Sequence, residues 1–198
     1  MIKKAWIMAV AIVLLASMAQ AEERMYMQSG DWTYGGRWKN GVMPVTGDAV
    51  KYIQAGTLTV STDVNTKDTR FARITLGNSG GNATLTVDGQ LFATELYVGH
   101  WLNYTGTVNV NSGRLDVQGG ETHIGQYATG TGILNINGGT FHADDLHVGF
   151  EGSTGVVNQA GGSVWADNLI LGSAIAGGSA AYNLSCGKLI LFQACLLY

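Results

Sequence analysis

A short apolar phrase ending in glycine returns five times along this chain, and no other feature restricts its fold as strongly. The copies are ITLG (Ile74–Gly77), LYVG (Leu96–Gly99), THIG (Thr122–Gly125), LHVG (Leu146–Gly149) and LILG (Leu169–Gly172). Their glycines lie 22, 26, 24 and 23 residues apart. A second phrase keeps the same step: LTVDG (Leu85–Gly89), VNVNSG (Val108–Gly113), LNINGG (Leu134–Gly139), VNQAGG (Val157–Gly162) and YNLSCG (Tyr182–Gly187). Two phrases locked to one period of about 24 residues mark stacked, self-similar coils.

Within one copy, Leu134-Asn135-Ile136, Phe141-His142-Ala143 and Leu146-His147-Val148 each alternate apolar and polar residues. Gly138-Gly139 and Asp144-Asp145 separate them. Period-2 alternation in such short pieces means strands and not helices. Three short strands and three turns then make one coil, and each strand pairs with its counterpart in the next coil at about 4.8 Å. The expected fold is all-β: a single-stranded right-handed parallel β-helix of about six coils, its handedness following the general preference of parallel crossovers. The parity of such coils places Ile74, Leu96, Thr122, Leu146 and Leu169 in one inward stack, and Leu85, Val108, Leu134, Val157 and Tyr182 in another. Thr122 and Gln159 are the polar residues at inward positions. Asn109, Asn135, Asn158 and Asn183 share an outward rank, where stacked amides hold coils in register.

Residues 1–21 read as a secretory signal peptide: Lys3-Lys4, an apolar run from Ala5 to Met18, and a small-x-small site at Ala19-Gln20-Ala21. Residues 22–70 read as an N-terminal cap with an irregular first coil, and 71–198 as the repeats with an unfinished last coil. The cap holds the single proline, Pro44, and the aromatic pair Trp32 and Trp38, expected to cover the open end of the core. Loss of Lys3 and Lys4 moves the formal charge from −3 to −5, which argues against nucleic acid as a partner. After the leader no apolar stretch is long enough for a membrane helix, so the mature chain is expected to have no transmembrane span. Lys188–Tyr198 is strongly apolar with no polar cap following it, a pattern of either a truncated product or an end that docks. End-to-end self-association through that coil is one expectation.

Little in the repeats points to chemistry. The rank two residues before each glycine reads Thr75, Tyr97, His123, His147, Ile170, and the rank four before reads Arg73, Glu95, Glu121, Asp145, Asn168. Glu121, His123, Asp145 and His147 would therefore stack on one outward face. Two imidazoles and two carboxylates at strand spacing have the donor set for a divalent cation; as a solvated surface the same residues would balance one another's charge. No cofactor is otherwise implied. An acid pair for glycoside hydrolysis would have to come from Asp144, Asp145 and Glu121, yet the regular repeats carry no inserted loops of the kind that build catalytic sites. Cys186 and Cys195 form either one disulfide or two free thiols.

The phrase LxVG…GtGxLNINGGTFxADxLxVG resembles the β-strand repeats of autotransporter passenger regions and of long secreted bacterial surface proteins, and the opening Trp32…Trp38…Pro44…Asp48 is similar to how such regions begin. The resemblance covers residues 29 to about 191. It implies export to the surface or medium of a Gram-negative bacterium, periplasmic if not translocated further, and an adhesive or matrix role. The expected function is an exported structural or adhesion-type module without catalytic activity, with surface glycans or other surface proteins as partners. The alternative is a carbohydrate-binding or carbohydrate-active β-helix of the polysaccharide lyase or glycosidase kind.

Overall fold

The structure, a computed structural model, describes residues 23–26, 28–52, 55–78, 81–172 and 177–194. The proposed signal peptide lies outside them. The strands are β1 (Glu23–Tyr26), β2 (Gly30–Asp31), β3 (Ala49–Tyr52), β4 (Gly56–Val60), β5 (Phe71–Leu76), β6 (Ala83–Val87), β7 (Gln90–Val98) and β8 (Thr105–Val110). They continue with β9 (Arg114–Ile124), β10 (Thr131–Ile136), β11 (Thr140–Val148), β12 (Thr154–Gln159), β13 (Ser163–Leu171), β14 (Ser179–Leu184) and β15 (Lys188–Ala194). Odd-numbered strands form an eight-stranded sheet and even-numbered strands a seven-stranded one, each in sequence order. Every pair between these strands is parallel. The chain is a β-solenoid of about six turns.

Each coil has two strands where three were expected. The second and third pieces run on as one, as in β11, and the Asp144-Asp145 turn is a corner inside that strand. The backbone keeps pairing around it: the register slips between Ala143 and Asp145 and then resumes. Two additional residues at the corner of β9, Gly119 and Gly120, account for the longest spacing between glycine phrases. At Gly120 a Cβ would press on the Thr94 carbonyl of the coil below, at 2.9 Å. The corner folds tightly because no side chain stands there.

The inward stacks follow the sequence. Ile74, Leu96, Thr122, Leu146 and Leu169 are cross-strand partners in turn. So are Leu91, Leu115, Phe141, Val164 and Leu189. Leu85, Val108, Leu134, Val157 and Tyr182 do the same in the second sheet. From Leu85 to Val157 these residues join one continuous buried core. Each fully buried aliphatic side chain contributes about 2 kcal/mol. Gln159 is accommodated in it by donating to the Lys188 carbonyl (3.0 Å) and accepting from the Tyr182 hydroxyl (2.6 Å). Thr122 is fully buried between Leu96 and Leu146, and its Oγ1 has no hydrogen-bond partner.

The asparagine rank is a continuous ladder. Asn183 donates to Asn158 (2.9 Å), Asn158 to Asn135 (2.9 Å) and Asn135 to Asn109 (2.8 Å). A second ladder runs beside it, from Asn137 to Asn111 (2.8 Å) and from Asn111 to Asp88 (3.1 Å). At the N-terminal end Trp32 and Trp38 meet edge to face at 5.1 Å, and Trp32 lies 5.2 Å from Phe71. The Trp38 indole N–H donates to the Trp32 carbonyl (3.0 Å), and both rings are buried in the core. At the other end Leu184 and Phe192 are exposed on the two edge strands.

The stacks make a graded prediction for urea unfolding. Leu134→Ala should cost about 3 kcal/mol, through lost transfer energy and a cavity that neighbouring coils cannot close. Asn135→Ala should cost about 1 kcal/mol, and a larger loss than at Leu134 would show that the ladder outweighs the core.

Candidate functional site

The glycine phrase carries the core on one parity and its polar ranks on the other. Those ranks stack as their spacing requires: Tyr97 beside His123, His123 beside His147, Glu121 beside Asp145. Arg73 pairs with Glu95 at 2.6 Å and lies 4.9 Å from the Tyr97 ring centre. Burial, with the Glu95 carboxylate beside it, pushes the Tyr97 phenol up to about 12. The His123 and His147 rings are parallel within 8° and 4.8 Å apart. His123 Nε2 meets Glu121 Oε2 at 3.0 Å, and Asn168 donates to Asp145 at 2.6 Å.

The structure brings the expected cation ligands Glu121, His123, Asp145 and His147 together on adjacent strands. Among the described residues no three His, Cys, Asp or Glu side chains converge as a metal site. Solvent reaches the face unevenly: Glu121 is exposed and His123 is buried. His123 is only 1% exposed, because Phe150 in the following turn packs edge to face on His123 at 4.8 Å and on His147 at 5.3 Å. The Nδ1 atoms of both histidines are buried without a hydrogen-bond partner. Burial lowers both imidazoles, and His100 with them, below the ordinary 6.5. At His123 burial and the His147 neighbour outweigh Glu121. At His147 burial outweighs Asp145 and Glu121.

A second polar cluster lies on the outward face of the middle phrase, where Phe92, Asp116, His142 and Trp165 stack. Asp116 is completely buried. Arg70 holds it from one side at 2.6 Å, Arg114 from the other, and His142 Nδ1 lies at 3.3 Å. Burial alone would raise the carboxyl, but hydrogen bonds from Arg114 and Arg70 hold it below the usual carboxylate range. Arg70 also donates to the Ala93 and Asp116 carbonyls, each at 3.1 Å. Both guanidinium groups sit over the Phe92 ring, at 5.4 and 5.8 Å. A cleft of 380 Å³ opens beside them, with Lys67 and Asp63 on its wall. Sequence reasoning missed this cluster, since Arg70 and Asp116 are 46 residues apart. The aperiodic polar run Ser61–Arg70 was the available signal.

A third feature gathers at the turns after Gly99, Gly125 and Gly149. Trp101 lies edge to face with Tyr127 at 5.9 Å, and Tyr127 with His100 at 5.2 Å. Trp101, Leu102, Tyr127, Ala128 and Glu151 line a cleft of 420 Å³. Of the other candidates, Trp32 and Trp38 are buried and present no open face. Cys186 is exposed, and Cys195 lies outside the described residues. Comparison with protein-family models, curated proteins and solved structures gives no match.

Two outcomes follow. An imidazole lowered by folding takes up its proton more readily in the unfolded chain, so stability rises with pH through that range. Stability should be complete above pH 6.5 and fall as the pH drops through the lowered values of His100, His123 and His147. Urea midpoints measured down a pH series should show the slope, and His123→Leu with His147→Leu should remove most of it. Separately, Arg70→Ala should cost about 3 kcal/mol by leaving a buried carboxylate with one guanidinium fewer, and Asp116→Asn in that background should recover part of the loss.

Proposed function

We propose that this chain is an exported structural or adhesion-type β-solenoid module that acts by presenting a surface and not by catalysis. One observation carries this reading: the outward polar ranks are engaged with one another, both within a strand and between coils. Glu95 is held by Arg73, Glu121 by His123, Asp145 by Asn168 and Asp116 by two arginines. Asp144, the remaining acid of the corner, accepts the Gly119 backbone N–H at 2.7 Å. Carboxylates committed in this way stiffen a rod. They are poorly placed as a general acid and its partner, which need a free face toward a substrate.

The leader at residues 1–21 supports export, and the resemblance to autotransporter-type repeats supports an adhesive or matrix role at the cell surface. Surface glycans or surface proteins are the partners this role requires.

Expression of the full chain in a Gram-negative host tests both halves. The exported product should begin at Glu22, after the Ala21 cleavage site, and purified protein should attach to glycan- or protein-coated surfaces. Incubation with a panel of neutral and acidic polysaccharides should release no reducing ends. Release of sugar would overturn the non-catalytic reading, and a product retained in the cytoplasm with its leader would overturn export.

A further inference from the structure

The cleft at Trp101 has the build of a ligand site. Its lining comes from three consecutive turns, and each turn holds one non-glycine residue in the left-handed region: Asn103 at φ 64°, Thr129 at φ 65° and Glu151 at φ 47°. Elsewhere among the described residues only Asn40 does so without being glycine. The conformation is uncommon for any side chain and least favourable for a β-branched one such as Thr129. Such strain persists only where surrounding contacts impose it. Those contacts are present: Trp101 N–H donates to the Gly77 carbonyl (3.0 Å), Phe150 N–H to Gly125 (3.0 Å), and Asn103 N–H to the Thr129 hydroxyl (3.2 Å). Each turn is thereby tied to another coil.

The result is a rigid aromatic platform that the core does not cover. Trp101 and Leu102 are each 45% exposed, although both are large and apolar. The Trp101 ring is braced by Tyr127 and by His100, which is itself bound to the buried Gln126 side chain. Side chains fixed before binding lose little entropy when a ligand arrives. Glu151 on the wall makes no hydrogen bond or ion pair among the described residues, unlike the acids of the strand ranks.

We propose that this cleft binds a neutral carbohydrate chain. A pyranose offers one face of C–H bonds to pack on Trp101 and Leu102, and a rim of hydroxyls that donate to the Glu151 carboxylate. A purely apolar ligand would bury that carboxylate without a donor, at a cost in free energy. An acidic glycan would meet like charge, both at Glu151 and from the chain's negative formal charge. The cleft, at 420 Å³, falls within the usual range of small-ligand sites, and is sized for one or two sugar rings. The inference gives the adhesive module its ligand class and rests on that reading.

The test is calorimetric titration of the intact protein with cellotetraose, maltotetraose and tetra-N-acetylchitotetraose. At least one should bind saturably, with a dissociation constant between about 10 μM and 1 mM. Trp101→Ala should weaken it at least about tenfold, the worth of one good stacking contact. Glu151→Gln should weaken it by a smaller factor, and Trp165→Ala, at an exposed aromatic on strand β13, should leave it unchanged. Thermal unfolding of each variant keeps loss of binding separate from loss of fold. No saturable binding of any of the three sugars overturns the proposal, as does binding that survives Trp101→Ala or is lost with Trp165→Ala. Attachment assays separate the two readings. A protein that attaches to protein-coated surfaces but binds no sugar keeps its adhesive role and loses this site. A protein that attaches to neither surface loses the adhesive role itself.

Discussion

Everything in this fold depends on one constraint: a residue must be compatible with its own counterpart one coil away. In a parallel ladder like positions face each other directly, and the backbone spacing leaves no room to avoid the neighbour. The glycine corners show how tight this is. Gly125 adopts φ 79°, and a Cβ there would collide with the Thr154 carbonyl of the adjacent coil. Gly132 in turn packs against the backbone N of Gly125. Glycine meets backbone at each corner, so the phrase recurs because each copy must accept the one before it.

The same constraint sorts the outer ranks. Amides stack well on amides, since each has both a donor and an acceptor, and the Asn109–Asn183 ladder uses this at every step. Carboxylates do not stack well, because like charges repel. The chain answers with a different partner at each level: arginine for Glu95, histidine for Glu121, asparagine for Asp145. Stacked imidazoles are tolerable while both are neutral. Burial under Phe150 keeps them so, since it favours the uncharged form.

How far the sequence could be read follows from the same distinction. Periodic positions were legible, because a register fixed by the glycine phrase assigns every inward residue and its partner. Leu134, Val157 and Leu85 stand where counting puts them. The coil shape was less legible. Asp144-Asp145 carries a turn composition, yet the backbone keeps its pairing around that corner, because neighbouring coils supply hydrogen bonds on both sides. Side-chain burial on the outer face was not legible. Parity says that His123 points away from the core, and it does, but parity is silent about Phe150 folding over it. The Asp116 cluster escaped for a related reason: one of its two arginines, Arg70, arrives from the aperiodic run before the first glycine phrase.

That contrast bears on where specificity can reside in such a rod. Strand positions are held by partners above and below, so a change in one coil is felt in two others. The turns after Gly99, Gly125 and Gly149 have more freedom in sequence: HWLNY, QYATG and FEGST share no pattern. Yet they are fastened to one another by backbone hydrogen bonds such as Gln126 N–H to Gly99 and Thr154 N–H to Gly130 (3.4 and 2.9 Å). Free composition on a fixed backbone is what a recognition surface requires, because side chains can be exchanged there without disturbing the stack beneath. The exposed Trp101 and Leu102 stand on that ridge, and their exposure is a property of these turns and not of the solenoid core.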